Sequence, residues 1–162
     1  MQVINRTSTL WEYLPEEIKG LLEDGEIVFN FVEKYREQQP DISDYSFMVF
    51  PFSKAYEGFL KRFLLDTKLI SEEDYFSDDI RIGRILNPGF VKERSNVFGR
   101  ICPKSQGGQD VPKQLWSVWK RGRNLVFHYF PHNFRKLNYQ EAVDIITDIF
   151  SAMNSAVMHC RV

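Results

Sequence analysis

Cysteine is scarce in this chain: Cys102 and Cys160 are the whole complement, and no pair stands at CxxC spacing. Neither a zinc ribbon nor a disulfide framework is suggested, and a reducing cytoplasm is the expected home. No apolar stretch approaches the ~20 residues that a membrane span needs. No basic segment leads into an apolar run at the N-terminus, so neither export nor a membrane partner is expected. An excess of one sign of charge is missing too. Lys and Arg number 21 against 22 Asp and Glu, a formal net charge of −1, which gives no overall attraction to nucleic acid or anionic surfaces. There is no internal repeat. His128 and His132 stand at i, i+4, but Pro131 lies between them and no acidic partner completes an HExxH pattern. Gly107-Gly108 precedes no helix carrying Lys-Ser or Lys-Thr. No metal ligand set and no cofactor loop are therefore expected.

What the chain does have is aromatic mass: aromatics are 15% of 162 residues, 14 of them Phe, beside 27% charged residues. That composition and length fit one folded domain with a sizeable core. The charges are unevenly placed. Lys113, Lys120, Arg121, Arg123, Arg135 and Lys136 fall in one basic stretch, and Arg81, Arg84, Lys92, Arg94, Arg100 and Lys104 in another. The acids gather in Glu12 to Glu37 and Glu72 to Asp79.

Apolar spacing predicts helices almost throughout. Leu14-Pro15-Glu16-Glu17 reads as a helix start, with Gly25 dividing a short helix from a second that runs through Phe31 and Tyr35 to Pro40. Phe50-Pro51-Phe52 leads into a helix from near Ser53 to about Lys68, striped by Tyr56, Phe59, Leu60, Phe63 and Leu64. Glu72 to Asp79 is solvated and acidic, and Ile80 to Leu86 is a short helical or extended piece stopped by Asn87-Pro88-Gly89. A long loop follows to Pro112, most mobile over Lys104 to Asp110. Pro112 opens a helix that continues to Phe130, where Pro131 disfavours further turns; Leu115, Val118, Gly122, Leu125 and Tyr129 line its apolar side. Asn138 and Glu141 form a capping box for a last helix through Val157. The expected fold is all-α, about five or six helices without a confident strand. Residues 1–40 form an N-terminal helical extension, and 41–158 the core.

On an ideal helix Arg121, Asn124 and His128 share one face, while Arg123 is about 140° from His128. If Arg123 and His128 serve one site, a second helix or a second copy of the chain must close it. On spacing alone the pair equally suits a solvated face, with His128 stabilising a helix C-terminus. Trp116 and Trp119 can stack on bases or serve as core or interface aromatics. His159 sits at a helix end.

"RNLVFH", Arg123 to His128, resembles the Arg-polar-x-x-x-His motif of the HEPN superfamily, all-helical domains common among RNA-cleaving toxins and defence proteins. "SKAYEGFLKRFL", Ser53 to Leu64, is similar to the early helix of the C-terminal HEPN domain in the ribonuclease LS toxin family, where a basic residue three before a Glu joins the Arg and His. Here those positions are Lys54 and Glu57. The likeness covers about Asp41 to Val157. It departs from the family in having Lys at 54 in place of Arg and in lacking the toxin's large N-terminal region. It implies a HEPN-like bundle and metal-independent RNA cleavage, with the ribose 2′-hydroxyl as nucleophile. Arg123 and His128 are the implied catalytic pair, aided by Lys54 and Glu57, while Asn124 and Arg121 bind substrate. It also implies a homodimer whose two motifs line one cleft, RNA as partner, and a possible cognate antitoxin. The rival expectation is a non-catalytic HEPN-like module that binds RNA, nucleotide or a protein partner, including an antitoxin or immunity role.

Overall fold

Gly25 shows how the bundle closes. A Cβ built there would lie 2.7 Å from the ring of Phe52, so the missing side chain is what lets two long helices approach. The computed structural model describes residues 3–38, 42–103, 110–129, 131 and 136–160. Among them are seven α-helices and no strand, the all-α fold that the periodicities indicate. They are α1 (Thr9–Tyr13), α2 (Glu16–Tyr35), α3 (Ser46–Asp66), α4 (Glu72–Phe76), α5 (Ile82–Ile85), α6 (Val111–Trp119) and α7 (Tyr139–His159).

α3 is the central rod. Met48, Val49, Phe52, Tyr56, Phe59 and Phe63 are all fully buried along it, with α2 and α7 packed against it and α6 against α7. Tyr56, Phe59 and Phe63 stack in sequence, with centroids 6.3 and 5.8 Å apart. Each buried aromatic contributes up to ~3 kcal/mol through area alone. α1 and the residues flanking it join the same core through Ile4, Leu10 and Leu14. The ends are capped as helix chemistry requires: Ser8 accepts from the Trp11 amide, Asp110 from Lys113, and Ser71–Asp74 and Asn138–Glu141 form full capping boxes.

Several boundaries differ from expectation. Gly25 does not divide two helices; α2 runs unbroken from Glu16 to Tyr35, because tertiary contact with Phe52 offsets glycine's ~1 kcal/mol helix penalty. α3 begins at Ser46 and contains Pro51, since burying Met48 and Val49 outweighs the lost Pro51 bond. The acidic stretch holds the short helix α4. The helix opened by Pro112 does not reach Phe130. It gives way to a π turn, Lys120–Asn124, and residues 125–129 leave helical geometry. Of its expected apolar side, Leu115, Val118 and Gly122 are buried but Tyr129 is 72% exposed.

The cysteines need a correction as well. Cys102 and Cys160 form a disulfide, with Cα atoms 5.2 Å apart across 58 residues of sequence. Pairing depends on proximity in the fold, which spacing does not reveal. It joins the loop after the turn at Phe98–Arg100 to the end of α7. Disulfides persist in oxidising compartments, so cysteine usage no longer argues for a cytoplasmic home. No helix among the described residues is long and apolar enough to cross a membrane. Pro40, the stretch Lys104 to Gln109, Phe130, His132 and Arg135 lie outside the described residues.

Candidate active site at the junction of α3 and α6

The apolar stripe of α3 carries one misfit, Ser53, which shares its buried face with Tyr56 and Leu60. Its hydroxyl is 1% exposed and donates to the carbonyl of Gly122 in the π turn. That carbonyl lies in the last helical turn, where carbonyls have no intrahelical partner, so a buried hydroxyl from a neighbouring helix satisfies it. One turn along α3, the fully buried Tyr56 hydroxyl donates to the Leu115 carbonyl of α6 at 2.9 Å. On the other side of the π turn, a Gly122 Cβ would lie 3.2 Å from Ile145 of α7, which explains a glycine there. The π turn is thus clamped between α3 and α7.

The clamp aims Arg123 at α3. Its Nε donates to Glu57 Oε2 at 3.2 Å, and both side chains are about one-third exposed, at 36% and 33%. The guanidinium also lies over Trp119 and Phe127, 6.0 and 5.7 Å from their ring centroids. Phe127 in turn meets Phe50 of α3 edge to face at 5.4 Å. Phe50, Lys54 and Glu57 succeed one another on a single stripe of α3, by the spacing i, i+4, i+7. Phe50 touches Phe127 and Glu57 touches Arg123, so Lys54 stands on the helix between the two contacts. Lys54 is exposed and makes no ion pair with Glu57; Glu57 turns to Arg123 instead.

His128 follows Phe127 directly and is exposed. It is not on a helical face with Arg121 and Asn124, because the chain has left the helix before reaching it. The ideal-helix angle separating Arg123 from His128 therefore does not apply, and Phe127, the residue before His128, packs against the Arg123 guanidinium. Arg121 points away: it pairs with Asp148 of α7 at 2.6 Å. Asn124 ends the π turn and is exposed. Trp119 is buried in the core at 6% exposure, and Trp116 packs against it half-buried, which removes Trp119 as a base-stacking surface. His159 lies in the last turn of α7.

Chemically the site offers a guanidinium with free donor capacity, a neighbouring carboxylate that fixes its direction, an ammonium and an imidazole. Sequence reading missed Ser53 as the anchor of the π turn. A hydroxyl on an apolar helical stripe was the available signal, since buried polar groups seek partners. No family model, no curated protein and no solved structure matches the chain.

Proposed function

We propose that this chain is a metal-independent endoribonuclease of HEPN type, working as a homodimer and possessing the role of a toxin in a toxin-antitoxin or antiphage system. The observation that carries the reading is the fixed direction of Arg123: a π turn, a rare geometry that gathers at functional sites, presents it beside Glu57 and against Phe127, the residue before His128.

In the proposed reaction the ribose 2′-oxygen attacks phosphorus and the bond to the 5′-oxygen breaks, leaving a 2′,3′-cyclic phosphate and a 5′-hydroxyl. His128 carries protons, because an imidazole with a reference pKa near ~6.5 can both accept and donate them at neutral pH. One copy removes the 2′-hydroxyl proton and the other protonates the leaving 5′-oxygen. Arg123 donates charge-assisted hydrogen bonds to the phosphate oxygens as charge accumulates. Lys54 adds a point charge and Asn124 positions the ribose. A second copy suits the surface here, where Phe47, Phe50 and Tyr129 are 45%, 55% and 72% exposed around the motif.

The Arg123–Glu57 pair also favours a second reading. A partly exposed ion pair that ties the π turn to α3 is a sufficient structural role, and then the chain is a non-catalytic module that binds RNA, nucleotide or a protein partner. Incubating the purified protein with a mixed pool of structured and single-stranded RNA in EDTA separates the two. Cleavage leaving 2′,3′-cyclic phosphate ends is expected; intact RNA beside well-folded protein refutes catalysis.

A further inference from the structure

The second basic stretch is drawn together by one buried amide. Asn96, 8% exposed, donates its side-chain amide to the carbonyls of Asn87 at 2.8 Å and Arg84 at 3.4 Å, and the Val97 amide donates to the Ile85 carbonyl at 2.8 Å. These bonds fold the loop after α5 back onto that helix. The result is a cleft of about 690 Å³ into which Arg81, Arg84, Arg94 and Arg100 all project their positions, floored by Ile70, Ile80 and Ile85.

The four arginines are not equivalent. Arg84 is held by both carboxylate oxygens of Glu93, at 2.9 and 3.2 Å, and is neutralised. Arg81 and Arg100 each donate to a backbone carbonyl, of Asp78 at 2.5 Å and Asn96 at 3.4 Å, which orients the guanidinium without cancelling its charge. Arg94 has no ion pair among the described residues. Two acids also line the cleft. Asp74 accepts from the Ser71 hydroxyl and amide, which leaves its charge in place, so Asp74 and Asp79 together oppose Arg81, Arg94 and Arg100. Positive charge is in excess, in a concave setting, on a protein whose net charge is −1.

α5, which supplies Arg84 and Ile85 to the cleft, also packs on Trp119. Gly83, between Arg81 and Arg84, has no room for a side chain because a Cβ would lie 2.8 Å from Trp119 Nε1, and Trp119 is the ring over which Arg123 lies.

We propose that this arginine cleft binds the phosphodiester backbone of single-stranded RNA, gripping consecutive phosphates with Arg81, Arg94 and Arg100. This rests on the ribonuclease reading, and it names where the uncut part of the substrate is held. Each neutralised phosphate of a single strand contributes about 0.7 to the slope of log affinity against log salt, so three contacts contribute about 2.

The test measures fluorescence anisotropy of a labelled single-stranded RNA dodecamer, 2′-O-methylated so that it cannot be cut, across a salt series. Arg81→Ala/Arg94→Ala/Arg100→Ala is expected to flatten the slope by about 2 and weaken binding at least about tenfold at low salt, with an unchanged melting temperature because all three side chains are exposed. Lysines at the same positions should restore the slope. An unchanged slope in the alanine variant, no binding by the wild type, or equal competition by a free nucleoside triphosphate would each overturn the proposal. Binding by the wild type without cleavage of unmethylated RNA would remove the nuclease and leave the cleft; cleavage with slopes identical in wild type and variant would do the reverse.

Discussion

Ser53→Ala removes one hydroxyl from the interior, and its consequences can be worked from the structure. The lost bond to the Gly122 carbonyl is worth about 1 kcal/mol net, and leaving a carbonyl buried without a partner costs about 1–3 kcal/mol. Alanine returns roughly 0.5 kcal/mol through its better helix propensity. Taking the carbonyl penalty less the alanine gain, the expected destabilisation is about 0.5–2.5 kcal/mol, which for a chain of this size lowers the melting temperature by about 1.5–8 °C. Tyr56→Phe should cost less, because the Leu115 carbonyl that it releases belongs to a regular helix. Calorimetry reads the stability and amide exchange reads the place: protection should fall at residues 122–125 before it falls in α6. Since Arg123 is next to Gly122, RNA cleavage should also fall, by more than the population of unfolded protein explains, because misplacement by ~1 Å can cost ~10²-fold. A melting temperature within about 1 °C of wild type, with exchange at 122–125 unchanged, would refute the clamp.

Other consequences are equally direct. Gly20→Ala, where nothing lies within 4 Å, should stabilise α2 by up to about 1 kcal/mol, whereas Gly25→Ala should destabilise it as the new methyl meets Phe52; thermal melts showing the same sign for both would contradict the packing. Reduction of Cys102–Cys160 should lower stability in urea titrations by up to about 4 kcal/mol, the chain-entropy figure for a 58-residue loop, and a loss under about 1 kcal/mol would show that the bridge constrains little. Acid should destabilise the fold. Burial pushes Asp44 and Glu26 up, but bonds from Ser46 and the Leu137 amide, and from the Ile4 amide and Arg6, outweigh it and hold both below the usual carboxylate range; the Tyr139 hydroxyl does the same for Glu33. Depressed carboxyls stabilise above their unfolded value, so stability should be level above about pH 5 and fall below about pH 4. Alkali acts through the tyrosines: burial, then the bond to Glu33, pushes Tyr139 up to about 12, and burial raises Tyr56, so stability should decline as pH rises from about 10. Chemical denaturation across pH checks both limbs.

The fold was legible in the sequence wherever periodicity spoke for it. The stripe from Tyr56 to Leu64, the Asn138–Glu141 box and the last helix are where they were expected. Punctuation was read too literally. Gly25 and Pro51 looked like boundaries, yet each sits inside a long helix because contacts with distant residues decide their cost. The end of α6 was hidden for the opposite reason. Residues 120–130 keep a helical pattern of apolar residues, while the turn is bent by Ser53, 69 positions away in sequence. Of the candidate site, the family likeness put Arg123, Lys54 and Glu57 together without saying which of them pair, and only the fold joins Glu57 to Arg123. Arg121 could not be separated from Arg123 without Asp148, which sits on an exposed face of α7 with no local mark of its role.

Under the proposed function Arg123 and His128 form a catalytic pair. Single-turnover cleavage of a labelled RNA in EDTA, by wild type, His128→Ala and Arg123→Ala, addresses it most directly. His128→Ala should reduce the rate by about 10²–10⁴-fold, as loss of a general acid or base does, measured on protein that circular dichroism shows to be folded. Full activity in folded His128→Ala protein would contradict the account.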